Sequence, residues 1–451
     1  MRHERWRAAL ILTAGVVAAF GSRPLAAQTP LPLGPQAPAN SVTAGNQDQP
    51  AVAMDANGDY VVVWRDEFLD GSGTAIVGRR FSSTTGLPLS SQFVINTTTA
   101  GNQANPAIAM NANGRFVVVW EGPDSTGPAT TGIFASLRSP NGAPIVAEFP
   151  VNTTVAGTQQ RPAVAMQSDG RFVVAWQDDS GIGRGAAFSD IAGRFYPATF
   201  PTDPPGSPLR LNTAVVAGDQ EQPAVAAVAA SGGWFVAWNG PTNPPTLPAT
   251  WLRVVDGAGV GQPEVQLNTS SGTSFLSHLT LSVNASGDAV AAWQDPLASS
   301  VFARRIVAGV PTGVAEQVNI SPDHINREPA VALDQFGNFV TVWVEAVGAL
   351  GTFSPAGSPI VIQGRKKNAG GGLASRLPPP TDAQFPVNSG GTDFAEPVIA
   401  GRPHGSFVAV WQGTDPLDSS GLGISLRRFL DAAFADDFET ANTARWSATV
   451  P

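Results

Sequence analysis

The chain carries few residues of the kinds that do covalent chemistry. It has two tyrosines, Tyr60 and Tyr196, and no cysteine. A glycoside hydrolase with a tyrosine nucleophile would need a carboxylate partner and arginines to clamp an acidic substrate. Tyr60 occupies a slot held by Phe116, Phe172, Phe339 and Phe407 elsewhere in the chain, so core packing accounts for it. Tyr196 reads as a surface residue. The arginines (Arg79, Arg138, Arg194, Arg304, Arg427) recur at one position of a repeat, whereas an active site gathers unlike residues. Across a hairpin they are placed to pair with the acids and amides behind each repeat's Trp: Asp66, Glu121, Asp178, Asn239, Asp295, Glu345 and Gln412.

Metal chemistry is equally thin. Asp55-Ala-Asn57-Gly58-Asp59 has the alternating oxygen ligands that open a calcium loop. The other copies place Arg115, Arg171 or Phe336 within that string, and no bidentate Glu follows, so a hairpin turn is the preferred reading and calcium the alternative. His278, His324 and His404 are widely separated, which leaves no zinc spacing. No phosphate loop, nucleophile elbow or HExxH is present. The expectation is no catalytic residue, no cofactor and no metal site, with the ligand-binding residues unidentified.

The elements that would position any site come from a repeat. Starting at Asn40, Asn96 and Asn152 the chain reads N-SVTAGNQDQ-PAVAM-DANGD-YVVVW, N-TTTAGNQAN-PAIAM-NANGR-FVVVW and N-TTVAGTQQR-PAVAM-QSDGR-FVVAW. Looser copies start at Asn212, Asn268, Asn319 and Asn388. The register is set by Trp64, Trp120, Trp176, Trp238, Trp293, Trp343 and Trp411, spaced by 50 to 68 residues. The Pro-to-Trp distance within a copy is 14 residues, or 15 from Pro223, and Leu279 replaces the Pro in the fifth copy. A constant interior with variable joins puts the length changes in loops.

Each copy holds four strand-like runs: PAVAM, the apolar FVVVW run, a run with the recurrent Arg, and a short run before the next Asn. Asn57-Gly58, Asn113-Gly114 and Asp169-Gly170 supply hairpin turns between the first two. Seven four-stranded antiparallel units without helical signals give an all-β fold, a seven-bladed β-propeller over residues 34–430. The periodic Trp is expected between blades. Residues 37–40 (APAN) occupy the slot that FVIN fills in the next copy, so they can supply the outer strand of the seventh blade; the stretch Phe434–Phe438 is the competing closer. Stretches 197–208 and 366–382 read as exposed loops.

Arg2, Arg5 and Arg7, the apolar run Ala8–Phe20 and Leu25-Ala26-Ala27 read as a cleaved secretory signal over 1–27, with 28–33 as linker. No other apolar run is long enough to span a membrane as a helix. A secreted, extracellular or periplasmic, monomeric protein is therefore expected. The formal net charge of −9 becomes more acidic once a leader with four Arg and one Glu is removed, which disfavours nucleic acid as partner.

The units resemble a bacterial secreted repeat family whose copies run PAVAMDxxGxFVVVWxD, then I-x-A-R-R-F, then F-x-V-N-T; the similarity spans residues 34–430. Copies four, five and seven depart from it at Ser231-Gly-Gly, Leu279 and Gly401-Arg-Pro-His. The turn before the Trp strand is more distantly similar to the Asp-box hairpin of sialidase-type propellers. The stretch 431–451, with DDFETANTARW, resembles a C-terminal tag of exported bacterial proteins, and a docked terminal strand is the other reading. The resemblance implies an extracellular propeller of undefined ligand, and analogy with other propellers leads to the expectation that it binds or scaffolds a protein or carbohydrate through loops on one face. A sialidase-like glycan hydrolase and a cell-surface adhesion protein are the rivals. Unlike polar residues converging at the channel mouth would favour the hydrolase, and seven equivalent ones the scaffold.

Overall fold

The computed structural model describes residues 29–430 except 125–126, 183–187, 215–217, 243–246, 269–275, 322–323, 348–359, 370–383, 390–391 and 415–420. The 1–27 leader, the 431–451 tail and the Phe434–Phe438 closer lie outside the described residues. Seven antiparallel sheets follow one another in chain order, each built from consecutive strands, which makes a seven-bladed propeller. The first blade consists of Gln47–Met54, Tyr60–Glu67, Thr74–Phe81 and Phe93–Val94. Its second strand is buried from Tyr60 to Trp64, as its run of β-branched and aromatic residues requires of a strand covered on both faces.

The seventh blade is completed from the other end of the chain. Leu31–Pro32 and Ala37–Pro38 both pair with the third strand, Gly423–Leu430, with Ala37 opposite Leu426 and Pro38 opposite Ser425. The APAN closure is thus observed. Leu31 and Pro32, placed in a linker by the sequence, also belong to the sheet, because the exposed edge of the third strand takes up both segments.

The core lies in the seams. Each of seven apolar clusters joins two adjacent blades and contains one register Trp; Trp176, for example, packs with Val117, Val119 and Ile133 of the preceding blade. Burying one such side chain contributes about 3 kcal/mol. Polar rivets cross or border the same seams. In all seven copies the asparagine Oδ1 accepts a third-strand amide at 2.7–3.1 Å, from Ile424 N to Asn40 through Ile362 N to Asn388.

The recurrent arginines have a different partner from the one the sequence suggested. Arg79, Arg138, Arg194, Arg253, Arg304, Arg365 and Arg427 each donate to the carbonyl of the residue before the preceding blade's asparagine, from Ala39 O to Val387 O. Register explains the difference: Arg79 lies opposite Val62, whereas Asp66 lies opposite Ala75, four residues along the hairpin. Asp66 and Asp178 serve their tryptophans instead, with Trp176 Nε1 donating to Asp178 Oδ2 at 2.8 Å, while Glu121 accepts the Arg161 amide and Glu345 meets His324. Tyr196 is also corrected. It is buried at 2% exposure and stacked on Phe172 at 4.3 Å, because the register puts the two residues opposite each other at the end of the hairpin.

Candidate functional site: the ring at the channel

Every first strand breaks its ladder at the same place. The register slips between Asp48 and Ala51 in the first blade and at the corresponding point in the other six. The residue before the Pro there has positive φ in each: Gln49, Asn105, Arg161, Gln222, His278, Glu328 and Glu396, all between 49° and 54°. Left-handed backbone at seven non-glycine residues carries a cost of order 1 kcal/mol apiece. His278 precedes Leu279 rather than Pro and adopts φ 52° regardless, so the fold imposes the bulge and Pro only suits it.

The bulges are held by acceptors from the preceding blade. In three blades the residue after the preceding register Trp supplies the oxygen: Gln412 to Gln49 N (2.8 Å), Glu121 to Arg161 N (2.5 Å) and Gln294 to Glu328 N (3.2 Å), whereas Gln177, at the same position, leaves its Oε1 without a hydrogen-bond partner. That position is Arg65, Asn239 and Val344 in the first, fourth and sixth blades. There the ring residue itself substitutes: Gln49 serves Asn105 N (2.8 Å), Gln222 serves His278 N (3.0 Å) and Glu328 serves Glu396 N (2.7 Å). One face of six of the seven bulges is therefore a blade-to-blade latch, and the ring side chains left over face the channel.

These seven residues, with the prolines behind them, line an open cavity of about 600 Å³ at the end of the molecule where the first strands begin. The ring is not electrically uniform. Glu328 and Glu396 come from adjacent blades, with Asp48 beside them in the next, and Arg161 enters from the far side. Arg65 holds Asp48 at 2.5 Å and Arg327 holds Glu328 at 2.8 Å. Burial pushes the Glu396 carboxyl up to about 7, and repulsion from Glu328 and Asp48 adds to the shift. Burial also lowers His278, against the pull of Glu328. The arrangement offers amide, imidazole, guanidinium and carboxyl groups at one rigid register, suited to hydrogen bonding a polar ligand.

The sequence singled out none of these as a site, and His278 only to reject it as a zinc ligand. The available signal was variation: the residue before Pro changes from copy to copy within an otherwise constant PAVAM unit. The other candidates lie elsewhere. Neither tyrosine lines the channel cavity. Asp55 Oδ1 accepts the Asp59 amide at 2.9 Å and Gly58 has φ +85°, which is the hairpin turn. Among the described residues no group of three or more His, Asp or Glu is placed to hold a metal ion. His324 Nδ1 meets Glu345 Oε1 at 2.6 Å and His404 Nδ1 meets Gln335 at 3.0 Å, away from His278.

No family model and no curated protein matches the chain. Among solved structures it is similar to a fungal alcohol oxidase in complex with copper, at 12% identity and a TM-score of 0.51, covering 90% of this chain and 76% of that one. A protein of unknown function from Dyadobacter fermentans (13% identity, TM-score 0.48) covers 73% of this chain and 94% of its own. An α-L-arabinanase from Penicillium chrysogenum (13% identity, TM-score 0.46) covers 76% and 99%. At these identities the likeness is one of fold, a propeller.

Proposed function

We propose that the protein is a non-catalytic binding propeller that holds an extracellular protein or glycan ligand at the channel ring. One observation carries this reading. Positions with a packing task keep their residue from blade to blade, as Trp, Asn and Arg do, while the ring position keeps its backbone and changes its side chain. A strained, invariant backbone bearing five residue types around one cavity is the pattern of a recognition surface on a rigid scaffold. Array binding of the mature chain, with calcium and with chelator, tests it. Arg161→Ala and Glu396→Gln should each weaken the recovered ligand by roughly tenfold, the loss of one charge-assisted contact. Full affinity in both variants would place binding off the ring.

Glu396 gives specific support to a second reading. A carboxyl protonated near neutrality is what a general acid requires, and glycoside hydrolysis uses such an acid with a second carboxylate. Against it, both Glu328 oxygens are engaged, one by Arg327 and one by the Glu396 amide. Turnover of an aryl glycoside by the wild type, lost in Glu396→Gln, would decide for the hydrolase.

A further inference from the structure

The carboxylates at and beside the channel ring are matched with guanidinium groups, with a single exception. Asp48 takes both Nε and Nη2 of Arg65, at 2.7 and 2.5 Å. Glu328 takes Nη1 of Arg327 at 2.8 Å, and Glu221 lies 3.7 Å from Nη1 of Arg161. Glu396 is the exception: among the described residues it has no ion pair. Glu328 and Asp48 repel it, Arg65 pulls on it from beyond contact, and the Gln49 amide is the backbone donor that faces it. A partly buried carboxylate so placed stays charged only if a cation comes to it.

The walls beside Glu396 decide what kind of cation fits. Pro329, Ala330, Pro397 and Val398 line the cavity together with Glu328 and Glu396, so the approach to the carboxyl is apolar. A hydrated metal ion gains nothing from such walls, and the described residues hold no cluster of ligands for one. An aliphatic stem ending in an ammonium buries its methylenes there and carries the charge to the end. A guanidinium fits less well. Its planar fork binds best to two free carboxylate oxygens, and the Gln49 amide already claims part of this carboxylate.

Resting on the reading of the ring as a binding site, we propose that its ligand is a protein that inserts a lysine side chain between blades six and seven, where the ammonium supplies the one counterion the ring lacks. A glycan of neutral or acidic sugars offers no such group. Binding is then an exchange, in which the ammonium enters and the Glu396 carboxyl gives up its proton. The sign follows from that carboxyl, which is pushed up to about 7: the lysine competes with the proton at pH 6 and hardly at pH 8. Affinity should therefore rise about tenfold between the two. His278, the other ring group with a shifted ionisation, faces Glu328 and Arg327 two blades round from Glu396's neighbour Asp48.

Isothermal calorimetry of the mature chain with acetyl-Gly-Gly-Lys-Gly-Gly-amide tests this, with the same peptide carrying norleucine as the uncharged control. At pH 8 the lysine peptide should bind roughly tenfold tighter than the control, the gain of one charge-assisted contact. At pH 6, titrations in buffers of different ionisation enthalpy should show close to one proton released per peptide bound. Glu396→Gln, which leaves His278 in place, should bring the lysine peptide down to the control and abolish the release. Equal affinity for the two peptides overturns the proposal, and so does lysine binding that keeps its pH dependence in Glu396→Gln. If that variant does not fold, the peptide comparison and the proton count on the wild type decide. A ligand recovered on arrays that weakens in Arg161→Ala, while the two peptides bind alike, leaves the ring as the binding site and removes only the lysine. An array ligand indifferent to both Arg161→Ala and Glu396→Gln removes the binding-site reading itself.

Discussion

Asp178 is a buried carboxylate whose work is wholly architectural, though with a different partner from the arginine that the sequence suggested. Its Oδ2 accepts the Trp176 indole N–H, and its Oδ1 accepts the Ser180 amide at 2.9 Å, with the residue itself 2% exposed. Asp178→Ala leaves a buried indole donor and a loop amide unmet, a loss of about 1–3 kcal/mol. The melting temperature should fall while ligand binding at the ring stays unchanged, and thermal unfolding run beside a binding titration would check both. A fall in affinity would place Asp178 within the ligand's footprint. Contrast Glu396, whose backbone belongs to the bulge and whose side chain faces the channel. Types alone do not separate the two carboxylates. What separates them is whether the residue's counterparts in other blades do the same work. Asp66 accepts the Trp64 indole as Asp178 accepts that of Trp176, whereas the ring position carries five residue types over seven blades.

Among elements, the bulged first strand carries both stability and site. Its amide at the bulge needs an acceptor from the neighbouring blade, and the chain meets that need by two routes, the residue after the Trp or the preceding ring residue. Gln49→Ala should therefore strand the Asn105 amide and cost about 1–2 kcal/mol in denaturant unfolding. Supplying the other route with Arg65→Gln should recover part of that loss, since it also gives up the mostly buried, bidentate Arg65–Asp48 pair. Additive losses in the double variant would show that the two routes are not interchangeable. The strands themselves were legible, because β-branched runs, Asn-Gly turns and a fixed Pro-to-Trp distance are local signals. The bulge was not. PAVAM reads as an uninterrupted strand, and the slip is visible only once Asp48 and Ala51 are matched to Arg65 and Val63 across the hairpin. The arginine pairing failed for the same reason, since it depended on a cross-strand register that composition does not fix. The ring follows from closure: seven residues some fifty to seventy positions apart become neighbours only when the blades meet.

At the scale of the whole molecule, stability rests on making the circle with no disulfide to help. Each apolar cluster is shared by two blades, so no blade has a core of its own and the unit that folds is the ring. The closing seam is the one place where that unit depends on residues from opposite ends of the chain. Removing 29–40 would take away the pairing of Ala37 and Pro38 with Leu426 and Ser425, the Asn40 acceptor for Ile424 N at 3.1 Å, and the Ala39 carbonyl that receives Arg79 at 2.9 Å. It would also leave Gly423–Leu430 as an unpaired edge, which invites pairing with another copy. The deleted chain should therefore lose much of its cooperative melt and associate in a concentration-dependent way, read by calorimetry and light scattering. The intact protein should unfold in one transition. A deleted chain that stays monomeric, with an unchanged melting temperature, would mean that six complete blades and a three-stranded seventh suffice.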